Sequence, residues 1–389
     1  MEKAMSTTTR QSIEKELNEL WKSDEERPEA KIGWWQRNYT TNLVVYAPSF
    51  EQCREAETVL RELTPLHPGR YIMLCPAPEG EPLALHHHVS GHCTYSPAQK
   101  KQICCDIINL EAKPGVLEDL YGLTLSLLVS DLPVEFWWLG DLPGASVFFR
   151  LIADDSDRVW VDSSEFSHPA RDLARLAAGW QHSFPNTVLA DLNWIRFQRW
   201  RNLIAELFDG EWSPFLREIE EVTIEYGAGG QPTRSFLLVC WMASCLGWKY
   251  PGRPLRDFPE AIAFESGGRE VTVVFKTVPT ADLQRDRLYA IRIRTGNNHQ
   301  GQFTIERNQD PRCVSACSEI DCRPAFARIL YFEHMEPLHL LREGLRRWGK
   351  DPGWLGTLAQ YRTIMQPPEQ EPESLFAEAA GEGMVSSDR

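Results

Sequence analysis

The chain has 389 residues, of which 42% are hydrophobic and 25% charged, and it carries a formal net charge of −14. That length allows two or three domains with sizeable cores, and the acidic balance argues against holding nucleic acid or an anionic membrane through the overall field. The N-terminal stretch "MEKAMSTTTRQSIEKELNELW" lacks the apolar core of a secretory signal, and no run approaches the length of about eighteen apolar residues needed to span a bilayer. The expectation is a cytoplasmic protein. In that compartment its ten cysteines should not form a static disulfide framework; most read as buried thiols, a few as redox-active or metal-binding.

Taken in chain order, Ser12 to Lys22 has helical periodicity, with Ile13, Leu17, Leu20 and Trp21 on one side. Asp24 to Ala30 is acidic, contains Pro28 and reads as a linker. "TTNLVVYAP" (Thr40 to Pro48) is a strand, and Ser49 is placed to cap a helix reaching Leu63, with Phe50, Cys53, Leu60 and Leu63 inward. Strands follow at Arg70 to Cys75 and Gln102 to Leu110. Pro114 opens an apolar helix to Val129. "VEFWWLG", between two Asp-Leu-Pro corners, is the next strand; Gly144 to Ala153 is a short helix, Arg158 to Asp162 a strand, and Pro169 sits in the first turn of a helix to Gly179. Asp191 to Gly210 reads as one long helix with an apolar stripe from Trp194 to Phe208 and a basic flank of Arg196, Arg199 and Arg201.

Alternating strands and helices imply βαβ crossovers and a mostly parallel sheet. A strand covered by helices on both faces reads as a continuous apolar run, which accounts for "VEFWWLG". On such a strand Phe136 and Trp138 face one layer and Trp137 the other. A ligand-stacking platform is the other reading of the paired tryptophans. Beyond Phe215 the pattern changes. "EVTIEYG" is a strand, a "GAGG" turn leads into an apolar helix, and "REVTVVFKT", "DRLYAIRIRT" and "GQFTIERN" follow without helices between them, which predicts antiparallel pairing. Helices are predicted at Pro337 to Trp348 and Trp354 to Ile364. The fold expected is α/β, a mostly parallel Rossmann-like sheet flanked by helices, with a second α+β domain. The divisions expected are residues 1–36 for an N-terminal helix and linker, 37–215 for the α/β domain, 216–366 for the α+β domain and 367–389 for a disordered acidic tail.

Chemistry-bearing motifs are sparse. There is no G-x-G-x-x-G, no G-x-x-x-x-G-K-[ST] and no G-x-S-x-G. "GAGG" (Gly227 to Gly230) precedes a helix and reads as a plain loop or a weak anion site. "HHHVSGHC" offers His86, His88, His92 and Cys93 to a metal only if the segment folds back on itself as a loop. Asp162, Ser163 and His168 lie too close in sequence for an ordinary triad, and Ser167 before Pro169 reads as helix capping. "CVSACSEIDCRP" is the densest sulfur stretch. Its Cys313, Cys317 and Cys322 lack the spacing of zinc ribbons or iron–sulfur sites; they read either as plain thiols or, if the segment is flexible, as partners in a reversible disulfide, and Arg312 and Arg323 beside them would favour thiolate. Cys104, Cys105, Cys240 and Cys245 read as core.

Three stretches carry a family resemblance: "IEKELNELW" with "TTNLVVYAP", then "DLPVEFWWLGDLP", then "VDSSEF". In order and spacing the chain resembles the OpcA family of glucose-6-phosphate dehydrogenase assembly proteins of cyanobacteria and actinobacteria, and the likeness extends less sharply over most of the remainder. The resemblance implies a non-catalytic partner, without cofactor, that binds the glucose-6-phosphate dehydrogenase oligomer and promotes its assembly or active state in the oxidative pentose phosphate pathway. It also implies control of thiols by thioredoxin. For those thiols the choice falls on Cys317 and Cys322, with Cys313 as the alternate. The residues leave a second class open, an independent thiol- or metal-dependent enzyme using the Cys313 cluster or the His86–Cys93 segment.

Overall fold

The computed structural model describes residues 2–365 except 26–34, 38, 78–79, 81–83, 97–100, 114–115, 117–119, 144–145, 280–286, 297–299, 311, 333–335 and 348. Most of the expected linker, Pro114, Gly144, Trp348 and the expected acidic tail therefore lie outside the described residues.

The first sheet contains Trp35–Arg37 (β1), Asn42–Tyr46 (β2), Arg70–Pro76 (β3), Leu85–Ser96 (β4), Lys101–Ala112 (β5), Val134–Trp138 (β6), Arg158–Val161 (β7) and Val188–Asp191 (β8). Its order is β1-β5-β3-β2-β6-β7-β8, with β4 on the outer edge of β5. Every pairing is parallel except β4 with β5. The chain winds from β2 towards β3 and β5, then returns across β2 to β6, β7 and β8. Strand order therefore reverses between β2 and β6, where doubly wound sheets leave a crevice at their carboxyl ends.

The helices divide between the two faces as the strand period requires. On one face Phe136, Trp138, Val44 and Ile72 pack with Ile13 and Leu17 of Glu2–Glu25 (α1), Leu123 of Leu120–Leu127 (α3), Phe149 of Val147–Asp154 (α4) and Leu173 of Pro169–Ser183 (α5). On the other face Trp137, Trp160, Leu43 and Val45 pack with Leu60 of Phe50–Leu63 (α2), Ile195 of Leu192–Arg196 (α6) and Leu341 of Pro337–Leu345 (α9). The alternation expected for Phe136, Trp137 and Trp138 is thus observed. Trp138 stacks on Tyr46 of the neighbouring strand with centroids 4.0 Å apart. Ser49 caps α2 as expected, but Phe50 is 49% exposed rather than inward.

The N-terminal helix is held by its Trp21, whose indole donates to Asp106 of β5 at 2.8 Å; Arg70 and Tyr39 donate to the same carboxylate. Gly91 makes room for this helix, since a Cβ there would lie 3.0 Å from Leu20 Cδ2 and 3.3 Å from Trp21. The sequence predicted one helix from Asp191 to Gly210. The structure breaks it at Phe197 into α6 and Gln198–Leu207 (α7), with "VLAD" before it forming β8 and Asp191 capping α6 as expected.

A 3-10 turn at Gly210–Glu218 leads to the second sheet: Ile219–Gly227 (β9), Ala261–Ser266 (β10), Arg269–Val278 (β11), Leu288–Thr295 (β12), Gly301–Arg307 (β13), Cys313–Ile320 (β14) and Arg323–Tyr331 (β15). Its order is β10-β11-β9-β12-β13-β14-β15. The pairings are antiparallel as expected, except that β9 and β11 run parallel. That exception has a cause: Thr233–Leu246 (α8) carries the chain back between them as a crossover. Pro352–Ile364 (α10) lies with α8, Tyr361 meeting Phe236 edge-on at 5.4 Å, and Tyr361 also donates to Ala170 of α5.

Two pairs of cysteines are bonded, which differs from the expectation of free thiols. Cys53 of α2 bonds Cys75 of β3 (Cα atoms 6.1 Å apart), and Cys93 bonds its register partner Cys104 across β4 and β5 (4.1 Å). The folded chain places these pairs at bonding distance, a proximity that spacing in the sequence does not reveal.

Candidate functional site

A cleft of about 980 Å³ opens at the reversal point of the first sheet. Its floor is the end of β6, Trp137 and Leu139. One wall is α2, and the opposite wall comes from the second half of the chain: the loop at Gly229 and Gly230, the start of α8, and residues of the second sheet. At the reversal point Gly140 has φ +86 and lies so close to Pro48 that a Cβ would come within 3.0 Å of its ring, so the chain turns away and leaves the crevice open.

Beyond β7 and β8 lies a network of buried charges. Arg196 of α6 grips Asp162 with two hydrogen bonds, 2.6 and 2.9 Å, and donates to Ser164 Oγ at 2.7 Å. Asp162 also accepts from the Ser164 amide and hydroxyl. Burial acts to raise the Asp162 pKa, but the charge and hydrogen bonds of Arg196 outweigh it and the net shift is downward. Asp191 accepts from the Ser163 amide and hydroxyl and from the Asn193 amide. Burial first, then the nearby Asp162, push its pKa up to about 6. Glu165, on the same wall, is raised by burial and by Asp162. Asn193 donates to Ser163 and accepts from Arg234 at 3.0 Å, so a continuous chain of hydrogen bonds runs from β8 to the first turn of α8.

The sequence-derived candidates are placed as follows. Ser163 donates to Asp191 rather than to His168, and Asp162 is held by Arg196; these residues do not form a triad. Ser167 binds Asp141, and His168 occupies the N-cap position of α5 without a side-chain bond. The "HHHVSGHC" segment is not a loop but the edge strand β4, which spreads its side chains along the sheet. His87 faces Glu16 of α1 at 2.9 Å, and Cys93 is in its disulfide. Among the described residues no group of three or more His, Cys, Asp or Glu could hold a metal ion. No described helix is long and apolar enough to cross a membrane.

Cys313, Cys317 and Cys322 belong to the hairpin β14–β15, not to a flexible segment or a helix. Cys317 pairs with Ala327 across the hairpin. Cys322 is exposed in the turn with φ +60, beside Asp321 at φ +49. The three strand steps from Cys317 to Ile320 alone rise roughly 10 Å, beyond the about 7 Å that a disulfide spans between Cα atoms. The structure thus keeps Cys317 and Cys322 apart while the hairpin is formed. The flanking arginines do not turn Cys317 into a thiolate: burial, then Glu306 and Glu319, raise its pKa.

Sequence reasoning missed the cleft itself. Arg196 and Arg199 were visible as a basic flank of one helix, but Arg234, Arg287 and Arg307 reach the same space from three other places in the chain. The sequence signal available was the strand-end position of Asp162.

Two family models match the chain: the glucose-6-phosphate dehydrogenase subunit N-terminal domain over residues 61–178 and the corresponding C-terminal domain over residues 187–355. Among curated proteins, the "Putative OxPP cycle protein OpcA" of Nostoc punctiforme is 29% identical over 303 residues, 75% of this chain and 63% of its own. The protein of the same name from Synechocystis is 31% identical over 339 residues, 82% of this chain and 68% of its own. The chain therefore spans about two thirds of the length of these relatives. A solved structure from Bacteroides fragilis, titled a "putative oxidoreductase", covers 76% of this chain and 84% of its own at 10% identity with a TM-score of 0.35, a likeness too loose to carry a reading across.

Proposed function

This chain belongs to the OpcA family of glucose-6-phosphate dehydrogenase assembly proteins, and from that premise we propose that it is a non-catalytic cytoplasmic partner of that dehydrogenase in the oxidative pentose phosphate pathway. It binds the dehydrogenase oligomer and favours its assembled, active state. The observation that carries the reading is the pair of family matches, which together take in both halves of the chain. The site geometry is compatible with a binding role. The first crossover helix, where a dinucleotide-binding fold presents free amides to a pyrophosphate, is here capped by its own Ser49 side chain. The experiment is to assay the dehydrogenase with and without the purified chain, and the chain alone with glucose 6-phosphate and NADP⁺. Activation of the dehydrogenase and no turnover by the chain alone are expected; turnover by the chain alone, or no effect on the enzyme, overturns the reading.

The proposal includes a thiol response read by thioredoxin through the β14–β15 hairpin, with Cys317 and Cys322 as the responding pair and Cys313 as the alternate. Joining Cys317 to Cys322 requires the turn to open, so the redox state would be converted into hairpin order. Cys317→Ser and Cys322→Ser should each remove the response of activation to reduced thioredoxin. Cys53→Ser and Cys93→Ser serve as comparators, because both disulfides of the first sheet also report the redox state. If the response persists in the first two variants and disappears in a comparator, the hairpin assignment fails.

A further inference from the structure

We infer that the cleft between the two sheets is a binding site for a small phosphorylated polyol, a phosphomonoester whose body carries hydroxyl groups. The inference is independent of dehydrogenase binding and rests on the composition of the cleft.

Five arginines line it, Arg196, Arg199, Arg234, Arg287 and Arg307. In a chain of net charge −14, such a gathering runs against the overall field and needs a local cause. Four carboxylates, Glu55, Asp162, Glu165 and Glu336, line the same space, and one of them, Asp162, is already gripped by Arg196. Arg234 and Arg287 are more than nine-tenths buried. Arg199 spends one bond on the Tyr331 carbonyl and lies over the Phe332 ring, which holds its guanidinium in place. A guanidinium has five N–H donors, so a protein bond to one of them leaves the geometry for a phosphate oxygen intact.

One further feature borders the same space. The N-cap of α8 is Pro232, which supplies no side-chain cap, so the positive end of a fourteen-residue helix closes the wall beside Gly229 and Gly230. The arginines and the helix end border the space where doubly wound sheets take their ligands, outside the carboxyl ends of the strands at the reversal of strand order. The volume, about 980 Å³, is at the upper end of the range for small-molecule sites, about 300–1,000 Å³. The arginines and the helix end suit the phosphate. Glu55, Glu165 and Glu336 are acceptors only, when ionised, and suit the hydroxyls.

The test is calorimetric titration of the full chain with glycerol 3-phosphate at constant ionic strength, with glycerol and with inorganic sulfate as separate arms. Saturable binding near one equivalent is expected for glycerol 3-phosphate, with glycerol silent and sulfate weaker. Arg199→Gln and Arg307→Gln, both at half-buried positions of the lining, should each weaken binding about tenfold, or about 1.4 kcal/mol. Melting temperatures of the variants verify that they are folded. No saturation for glycerol 3-phosphate, equal binding of sulfate, or unchanged affinity in both variants overturns the proposal. Dehydrogenase capture, assayed on the same preparations without phosphate, reads the separate proposal separately.

Discussion

Gly344 of α9 lies on the ring of Trp160 of β7: a Cβ at Gly344 would fall 2.6 Å from Trp160 Cζ3 and 2.9 Å from Ile195 Cδ1. The contact is reinforced by Arg158 of the same strand, which donates to the carbonyls of Gly344 and Arg347. Trp160 in turn donates to Glu135 at 2.7 Å. A segment following the second sheet thereby completes the outer layer of the first.

Gly344→Ala is expected to destabilise the protein although alanine is the better helix former. Overpacking of a filled core costs about 1–3 kcal/mol, against a gain of about 1 kcal/mol in helix propensity. The net loss of up to about 2 kcal/mol should lower the melting temperature. An unchanged or higher melting temperature would show that α9 can move off Trp160.

Trp138→Ala should cost about 3–5 kcal/mol, the range for large aromatic deletions in a core. The ring stacks on Tyr46, meets Phe149 edge-on at 5.0 Å, and its indole donates to the Asp141 carbonyl at 2.8 Å. A sharp fall in melting temperature is expected. Intact stability together with lost binding of a partner would instead make the paired tryptophans a platform.

Asp191 gives a signed pH effect. Its pKa is about 6 in the fold and about 3.9 in an unfolded chain. Below pH 4 both states hold the proton. Between pH 4 and 6 the unfolded chain loses it while the fold keeps it, so stability falls as pH rises, by roughly 2–3 kcal/mol in all, and then levels off. Asp191→Asn lacks this slope. The melting temperature of the native chain minus that of the variant should therefore decline from pH 4 to 6.5; a flat difference would place the Asp191 pKa near its ordinary value.

Thiol labelling should sort the free cysteines by position. Cys322 is exposed in its turn, whereas Cys105 and Cys240 are buried, and burial pushes Cys105 up to about 11 and Cys240 well above its ordinary value. Alkylation at pH 8, read by peptide mass spectrometry, should modify Cys322 in the native state and leave Cys105 and Cys240 unmodified until denaturant is added. Early labelling of Cys240 would mean that α8 opens readily.

Much of the first sheet was legible because its inner strands are apolar runs between helices, as at Trp137 and Trp138. Most of the strands that escaped were edges or very short ones; Cys313–Ile320 is an interior strand, but its three small polar and sulfur residues in alternation read as a cysteine cluster instead. "HHHVSGHCTYS" is polar along the outer edge of β5 and looks like a loop, and "VLAD" is too short to show a period. "RPAFARILY" is largely exposed, with Ile329 at 69%, so its composition carries no burial pattern to read. The cleft was illegible for a different reason. Its arginines come from positions between 196 and 307 and meet only through the crossing of two sheets, which no local spacing encodes. Asp191 was read correctly as a helix cap, but its burial beside Asp162 depends on β7 and β8 being neighbours.

The position of α9 also bears on how the protein is made. On a ribosome adding about 5–20 residues per second, β7 emerges long before residues 337–345, so Trp160 waits for Gly344 on the order of ten seconds or more. During that interval α2 and α6 cover only part of this face, and the uncovered aromatic part is open to chaperones or to neighbouring nascent chains. Synthesis speed through the second half of the message thus bears on yield, and a fragment ending before α9 would leave that part of the face permanently uncovered.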